Sequence, residues 1–185
     1  QLEYIQTPGF KRYAEILITK ADEYFFSVPA SSSGKYHPDF ARKVGGLVLH
    51  TKAVVDILHT LIDEQELFGL KRFERDMLYV AAIAHDIKKQ GDCAEGLGYT
   101  VHEHPLLAAR YVCEVYFASD IIVLNGVVSI IADLISSHMG KWGADPKFIG
   151  DKKPLPLPES DCAKILQAAD YLASRKEILD FKFVD

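Results

Sequence analysis

The chain has 185 residues, 49% of them apolar, so one compact domain can bury its own core. Its 26 acidic against 21 basic side chains give a formal charge of −5, which excludes the basic excess of a protein that grips long duplex backbone. The most apolar stretch, near Asp120 to Ile135, is interrupted by Asn125, Gly126, Ser129 and Asp133, so no membrane span and a soluble protein are expected. Three cysteines, Cys93, Cys113 and Cys162, are odd in number and far apart, with no Cys-x-x-Cys pair. That argues against a disulfide framework or a thiolate zinc site, and for a reducing cytoplasm. The chain opens at Gln1 without a basic start and hydrophobic signal region, and the missing initiator Met suggests trimming.

Apolar residues recur three and four positions apart along nearly the whole chain, which predicts an all-α bundle. A first helix, about 7–26, starts at Thr7 and Pro8, carries Phe10, Tyr13, Leu17, Tyr24 and Phe25 inward, and ends before Pro29. Ser31 to Pro38 has turn-forming residues and no periodicity, and reads as a loop. Further helices are predicted from Gly46 to Ile62, Phe73 to Ile87, Pro105 to Phe117, Asp120 to His138 and Ser160 to Leu179. Trp142 to Pro158, ending in Pro154-Leu155-Pro156-Leu157-Pro158, is expected to run extended, as a stiff connector or alternatively a proline-recognition motif. Without repeats, long charge runs or a second composition regime, 1–185 reads as a single domain with a core of about 36–180.

The polar residues on the apolar stripes carry the functional signal. Leu47, His50, Val54, Ile57 and Leu61 share one helical face, so His50 points inward. Leu78, Ala81, Ala82 and His85 share another, with Asp86 directly after it; Val127, Ile131, Leu134 and His138 form a third. Asp170 falls on the stripe of Ala163, Leu166 and Ala173, where an unpaired carboxylate is costly to bury. Three imidazoles and two carboxylates converging inside a bundle suit a divalent metal held by nitrogen and oxygen ligands; an ion-pair and hydrogen-bond network is the alternative.

In order along the chain these segments are Gly45-Gly46-Leu47-Val48-Leu49-His50-Thr51, Ala84-His85-Asp86-Ile87-Lys88-Lys89, His104-Pro105-Leu106-Leu107-Ala108-Ala109, Ser136-Ser137-His138 and Ala169-Asp170-Tyr171-Leu172. Together they resemble the HD-domain metal-dependent phosphohydrolases, over about Tyr36 to Arg175. The resemblance implies a compact HD-domain helical bundle with its metal site in the interior. It implies that His50, His85, Asp86 and Asp170 hold one metal, and that His104 and His138 bind a second, with Asp86 bridging two divalent ions (Fe, Mn, Zn, Ni, Co or Mg). The expected activity is hydrolysis of a phosphate ester or anhydride of a nucleotide or short nucleic-acid end, by water made nucleophilic at the metal. The glycine pair before His50 is also similar to that of bacterial HD-type exoribonucleases that trim RNA from the 3′ end. A non-catalytic metal- or nucleotide-binding module is the remaining alternative.

Lys89 matches a lysine found in many dinuclear members and is a candidate to stabilise phosphoryl charge; a solvated lysine at a helix C-terminus is the alternative. His102 rivals His104 as metal ligand, but Pro105 favours His104, as a residue with non-helical backbone at the helix entrance. His102, Lys35, His37, Arg42 and Lys141 are candidate substrate contacts beside the site. His59 falls off the inward stripe and is expected to be exposed. Tyr36, Tyr99 and Trp142 are candidates to stack on a base or to serve packing. The expected partner is a small phosphorylated substrate, a nucleotide, or a short single-stranded nucleic acid, and no membrane.

Overall fold

The helix Arg72–Ala84 is buried on every side from Asp76 onward, which makes it the axis of the bundle. The computed structural model describes residues 1–32, 34–64, 68–121, 123 and 125–176, and every regular element among them is helical. In chain order the α-helices are α1 (Pro8–Thr19), α2 (Gly46–His59), α3 (Arg72–Ala84), α4 (His104–Phe117), α5 (Asn125–Ser136), α6 (Lys141–Ala144), α7 (Pro146–Ile149) and α8 (Asp161–Ala173). Helices α1, α2, α5 and α8 all pack on α3; α4 pairs with α5, and α8 with α2.

Each helix forms where its stripe meets that axis. In α1, Phe10, Tyr13, Ala14 and Leu17 are buried at spacings of three, one and three residues, and Pro8 starts the first turn. Asp76, 1% exposed on α3, accepts the backbone N–H groups of Gln6 and Thr7 at 2.9 Å each, fixing the start of α1 against the axis. The hydroxyl of Tyr13 donates to the carbonyl of Val112, and that of Tyr111 donates to Leu17 at 2.7 Å, tying α1 to α4. Fully buried side chains such as Leu58, Leu78, Leu134 and Leu166 each contribute about 1.5–3 kcal/mol of burial energy. The bundle therefore has a source of stability independent of its polar groups.

Helix α2 begins at a constrained spot. Gly45 has φ +74°, the left-handed region, and a Cβ on Gly46 would lie 2.2 Å from the Ala41 carbonyl oxygen. The glycine pair thus lets the short 3₁₀ turn Asp39–Arg42 press against the first turn of α2.

The structure corrects several boundaries. The first helix is two elements: α1 stops at Thr19, and Glu23–Phe26 is a separate 3₁₀ turn that still buries Tyr24 and Phe25. Asp22, between them, is drawn away by an ion pair to Lys88 at 2.7 Å. The second helix passes into a π turn at Thr60–Glu64. The third ends at Ala84, because the amides of Ile87, Lys89 and Gly91 close onto carbonyls three residues back. The fifth runs over Asn125–Ser136, shorter than expected at both ends. The last ends at Ala173; the expected stretch 177–179 lies outside the described residues.

Two further readings are corrected, the first of them only for its first half. Trp142 to Pro158 is not all extended: α6 and α7 occupy its first half, the latter started by Pro146 with Asp145 accepting the Lys147 N–H at 2.9 Å. His59 is half-buried, its ring stacked on Tyr4 at 3.8 Å and its Nδ1 3.1 Å from both Asp63 Oδ2 and the Tyr79 hydroxyl. Sequence periodicity along α2 has no view of Tyr4.

Candidate metal centre

Six polar residues meet where the ends of five helices converge. His50 lies one turn into α2, four residues after the tight contact at Gly46. His85 and Asp86 are the first two residues beyond α3, His104 is the first of α4, His138 follows α5 by two, and Asp170 belongs to the last turn of α8. The four histidines and Asp86 are at most 1% exposed, and the Asp170 side chain is 16% exposed.

Asp86 sits at the centre and divides the others between its oxygens. Oδ2 is 3.4 Å from His85 Nε2 and 3.7 Å from His50 Nε2. Oδ1 is 3.0 Å from His104 Nε2 and 3.5 Å from His138 Nε2. Asp170 closes the first group, with Oδ1 2.9 Å from His50 Nε2 and 3.7 Å from His85 Nε2. The donor atoms of His50, His85 and Asp170 all lie within 4.8 Å of one another, as do those of His85, Asp86 and His138.

The backbone sets the state of three imidazoles. Nδ1 of His85, His104 and His138 lies 2.7 Å from the carbonyl oxygens of Ala82, Val101 and Ile135 respectively. At that distance each Nδ1 carries the proton and donates it, so in the neutral ring the Nε2 lone pair faces Asp86. The arrangement gathers electron pairs: His104 Nε2 and His138 Nε2 are 3.3 Å apart. His85 Nε2, Asp86 Oδ1 and His50 Nδ1 are buried without a hydrogen-bond partner among the described residues. Inward acceptors left without protons are costly in a protein interior unless a cation joins them. Nitrogen and carboxylate donors in this number fit a divalent metal.

The electrostatics express the same crowding. Burial pushes the His85 pKa down, but Asp86 and Asp170 outweigh it and hold His85 at about 10. Burial raises the Asp86 carboxyl, yet Lys89 and His85 hold it well below the usual carboxylate range; His50 and His85 do the same for Asp170. For His104 the balance reverses: burial, then Lys89, outweigh Asp86 and push it down to about 4. Lys89 is turned inward rather than solvated, with Nζ 2.7 Å from Asp86 Oδ2 and a side chain 12% exposed.

A cavity of about 500 Å³ opens onto the cluster, with His37, Lys89, His138 and Asp170 on its wall. His37 packs its ring 5.5 Å from that of His50, and burial, then His50 and Lys89, push its pKa down to about 4. Tyr36 and Trp142 also line the cavity. The other candidate contacts are not among the residues of the cavity wall: Arg42 pairs with Asp39 at 3.1 Å, and the Lys35 ammonium lies 5.1 Å from the Tyr36 ring. The Lys141 ammonium lies 4.2 Å over Trp142, and Tyr99 is 56% exposed. His102 Nε2 is 2.9 Å from the Lys153 carbonyl, which straps the extended segment after α7 to the loop before α4. His104 is itself the first helical residue, and the non-helical position falls on Glu103, because the turn from Val101 already closes onto the His104 amide.

Sequence reasoning passed over Phe148, Tyr171 and Arg175 on the cavity wall. A signal existed for two of them: Tyr171 directly follows Asp170, and Arg175 comes one helical turn after Tyr171.

Comparison with known proteins agrees with this geometry. A family model described as HD domain matches residues 47–175, well over half of the chain. The chain is 27% identical to the 3′-5′ exoribonuclease YhaM of Geobacillus sp. (strain WCH70) over 188 residues, covering 96% of this chain and 52% of that protein. It is 28% identical to the protein of the same name from Bacillus subtilis (strain 168) over 183 residues, covering 95% and 52%. The chain thus spans about half the length of these relatives. No solved structure matches it.

Proposed function

Because the chain belongs to the HD-domain superfamily of metal-dependent phosphohydrolases, we propose that its buried cluster hydrolyses a phosphodiester at the end of a single-stranded nucleic acid, with RNA the favoured class. His50, His85, Asp86 and Asp170 would hold one divalent ion and His104, His138 and Asp86 a second. The observation that carries this reading is the division of the Asp86 oxygens between two sets of imidazole nitrogens. A divalent ion in such a site supplies Lewis acidity, which makes water nucleophilic near neutral pH and draws charge from a phosphoryl oxygen.

The protein's own groups do the rest. The carbonyls of Ala82, Val101 and Ile135 fix three rings with Nε2 inward, so the ligands are oriented before any ion arrives. Lys89 holds Asp86 Oδ2 and places its ammonium on the cavity wall, where it meets the growing negative charge of a phosphoryl group. Neutral His37 lies beside His50 on the same wall and narrows the approach to the cluster. Support for RNA comes from the relatives named 3′-5′ exoribonuclease, which align along nearly this whole chain. Support for a short single-stranded end, rather than a long duplex, comes from the −5 charge and a cavity of about 500 Å³. Among the described residues no helix is long and apolar enough to cross a membrane, and the three cysteines are unpaired, in keeping with a cytoplasmic protein.

The test is a product analysis with metal-reconstituted protein, offered 3′- and 5′-labelled single-stranded RNA, the matching DNA, and nucleoside mono-, di- and triphosphates. Stepwise release of nucleoside monophosphates from the RNA 3′ end is the expected result. Turnover of free nucleotides alone would move the assignment to a nucleotide phosphohydrolase, and no turnover of any phosphate ester would reject hydrolysis.

A further inference from the structure

The cavity wall carries a second cationic group that the hydrolytic chemistry leaves unused. The guanidinium of Arg175 lies 4.3 Å from the ring centroid of Tyr171, 5.1 Å from that of Tyr36 and 5.8 Å from that of Trp142. Three aromatic rings therefore fix a side chain that is otherwise among the most mobile. Its Nε is buried without a hydrogen-bond partner, and no hydrogen bond or ion pair of this guanidinium occurs among the described residues. A fixed, partly buried arginine with unmatched N–H donors is a receptor for an oxyanion, since the planar fork suits phosphate geometry.

Lys89 and Arg175 line the same cavity but differ in what they touch. Lys89 is committed to Asp86 at 2.7 Å, beside the cluster, whereas Arg175 pairs with no carboxylate among the described residues. A substrate with one phosphate at the cluster leaves Arg175 unmatched; a substrate with a further phosphate matches both. The surrounding frame also offers a platform for a base. Trp142 meets Phe148 at 4.6 Å in a tilted contact and Tyr171 edge-on at 5.9 Å, and Phe148 is 49% exposed. The frame does not depend on Arg175 alone, since the Lys176 amide donates to the Tyr36 carbonyl at 2.9 Å and anchors that loop to the end of α8.

We propose that Arg175, in its frame of Tyr36, Trp142 and Tyr171, is a substrate-binding residue that takes a phosphate other than the one hydrolysed, on a single-stranded oligonucleotide whose neighbouring base lies against Trp142. This rests on the phosphohydrolase reading above. It identifies the preferred substrate as a chain of at least two phosphates rather than a nucleoside monophosphate.

Trp142 is the chain's single tryptophan, so its fluorescence reports on this part of the cavity alone. The experiment titrates metal-loaded protein with a six-nucleotide uridine oligomer whose linkages are phosphorothioates, which keeps the charge and resists hydrolysis, at several salt concentrations. Saturable quenching of Trp142 is expected. Arg175→Gln should weaken binding by about tenfold or more and flatten the slope of log K against log salt by about 0.7, the share of one phosphate contact on a single strand. Arg175→Lys keeps the charge without the fork; it should fall between the two, and it decides the matter should Arg175→Gln not fold. Lys164→Gln removes the same charge from an exposed position of α8 outside the cavity and should bind as the parent does. Unchanged affinity and slope in both Arg175 variants would overturn the proposal, as would an equal loss in Lys164→Gln or an oligomer that never quenches Trp142. The outcomes separate from those for hydrolysis: binding through Arg175 with no turnover of natural RNA sinks only the hydrolase reading, and turnover with Arg175-independent binding sinks only this one.

Discussion

The two sides of Asp86 are built from the same residue type and differ in charge. Oδ2 faces His50, His85 and a second carboxylate, Asp170, with Lys89 beside it; Oδ1 faces His104 and His138 alone. On the first side the carboxylates hold His85 at about 10, and on the second burial drives His104 down to about 4. The second carboxylate therefore lies on one side only, and imidazole nitrogens alone join Asp86 on the other. The lesson is that a histidine count alone does not describe such a cluster, because the placement of the second carboxylate makes its halves unequal.

The sharpest way to break the comparison is to remove what both sides share. Asp86→Asn should abolish phosphohydrolase activity and most metal binding while far-UV circular dichroism stays that of a helical bundle, because the apolar core supplies the stability. A variant that keeps both activity and metal rejects Asp86 as the shared ligand. Next in size is the split between sides. His104→Ala should lower the metal content from about two ions per chain to about one, whereas Asp170→Ala should strip the tighter ion and leave the protein inactive. Elemental analysis at graded metal concentrations reads this directly, and equal losses from the two variants would erase the asymmetry. Lys89→Ala touches the charge beside Oδ2 without removing a ligand. It should keep its metal and lose about 10²–10³-fold in turnover number, the scale for a group that stabilises developing charge. An undiminished rate makes Lys89 a charge partner of Asp86 only. The smallest effect is expected at His102, which holds the Lys153 carbonyl rather than the cluster. His102→Ala should leave the metal content unchanged and destabilise the fold by about 1 kcal/mol in denaturant melts, the worth of one hydrogen bond. Loss of an ion in this variant would exchange the roles of His102 and His104.

The sequence reveals the cluster more readily than the cavity beside it. His50, His85, His138 and Asp170 stand out because each occupies an apolar stripe, and a three-four period is a property of the local chain. His104 is legible through Pro105, though the backbone places it inside the helix instead of before it. The frame around Arg175 draws on Tyr36, Trp142 and Tyr171, three separate stretches whose meeting is a property of the tertiary fold. The π turn after α2 and the short helices α6 and α7 escape for a related reason: elements of four or five residues leave too few repeats for a period to show.

The burial of α3 from Asp76 onward has a consequence for how the molecule breathes. The amides of that stretch are bonded within the axis and covered by α1, α2, α5 and α8, so their protons are expected to exchange with solvent most slowly, in openings of the whole bundle. His85 and Asp86 extend directly from that slowest-exchanging segment. The cavity wall made by α6 and α7 consists of two single turns joined at Asp145, and Trp142 and Phe148 ride on them. Local opening of these turns needs none of the contacts of the axis. The α6–α7 wall is therefore expected to open more readily than the segment that carries His85 and Asp86.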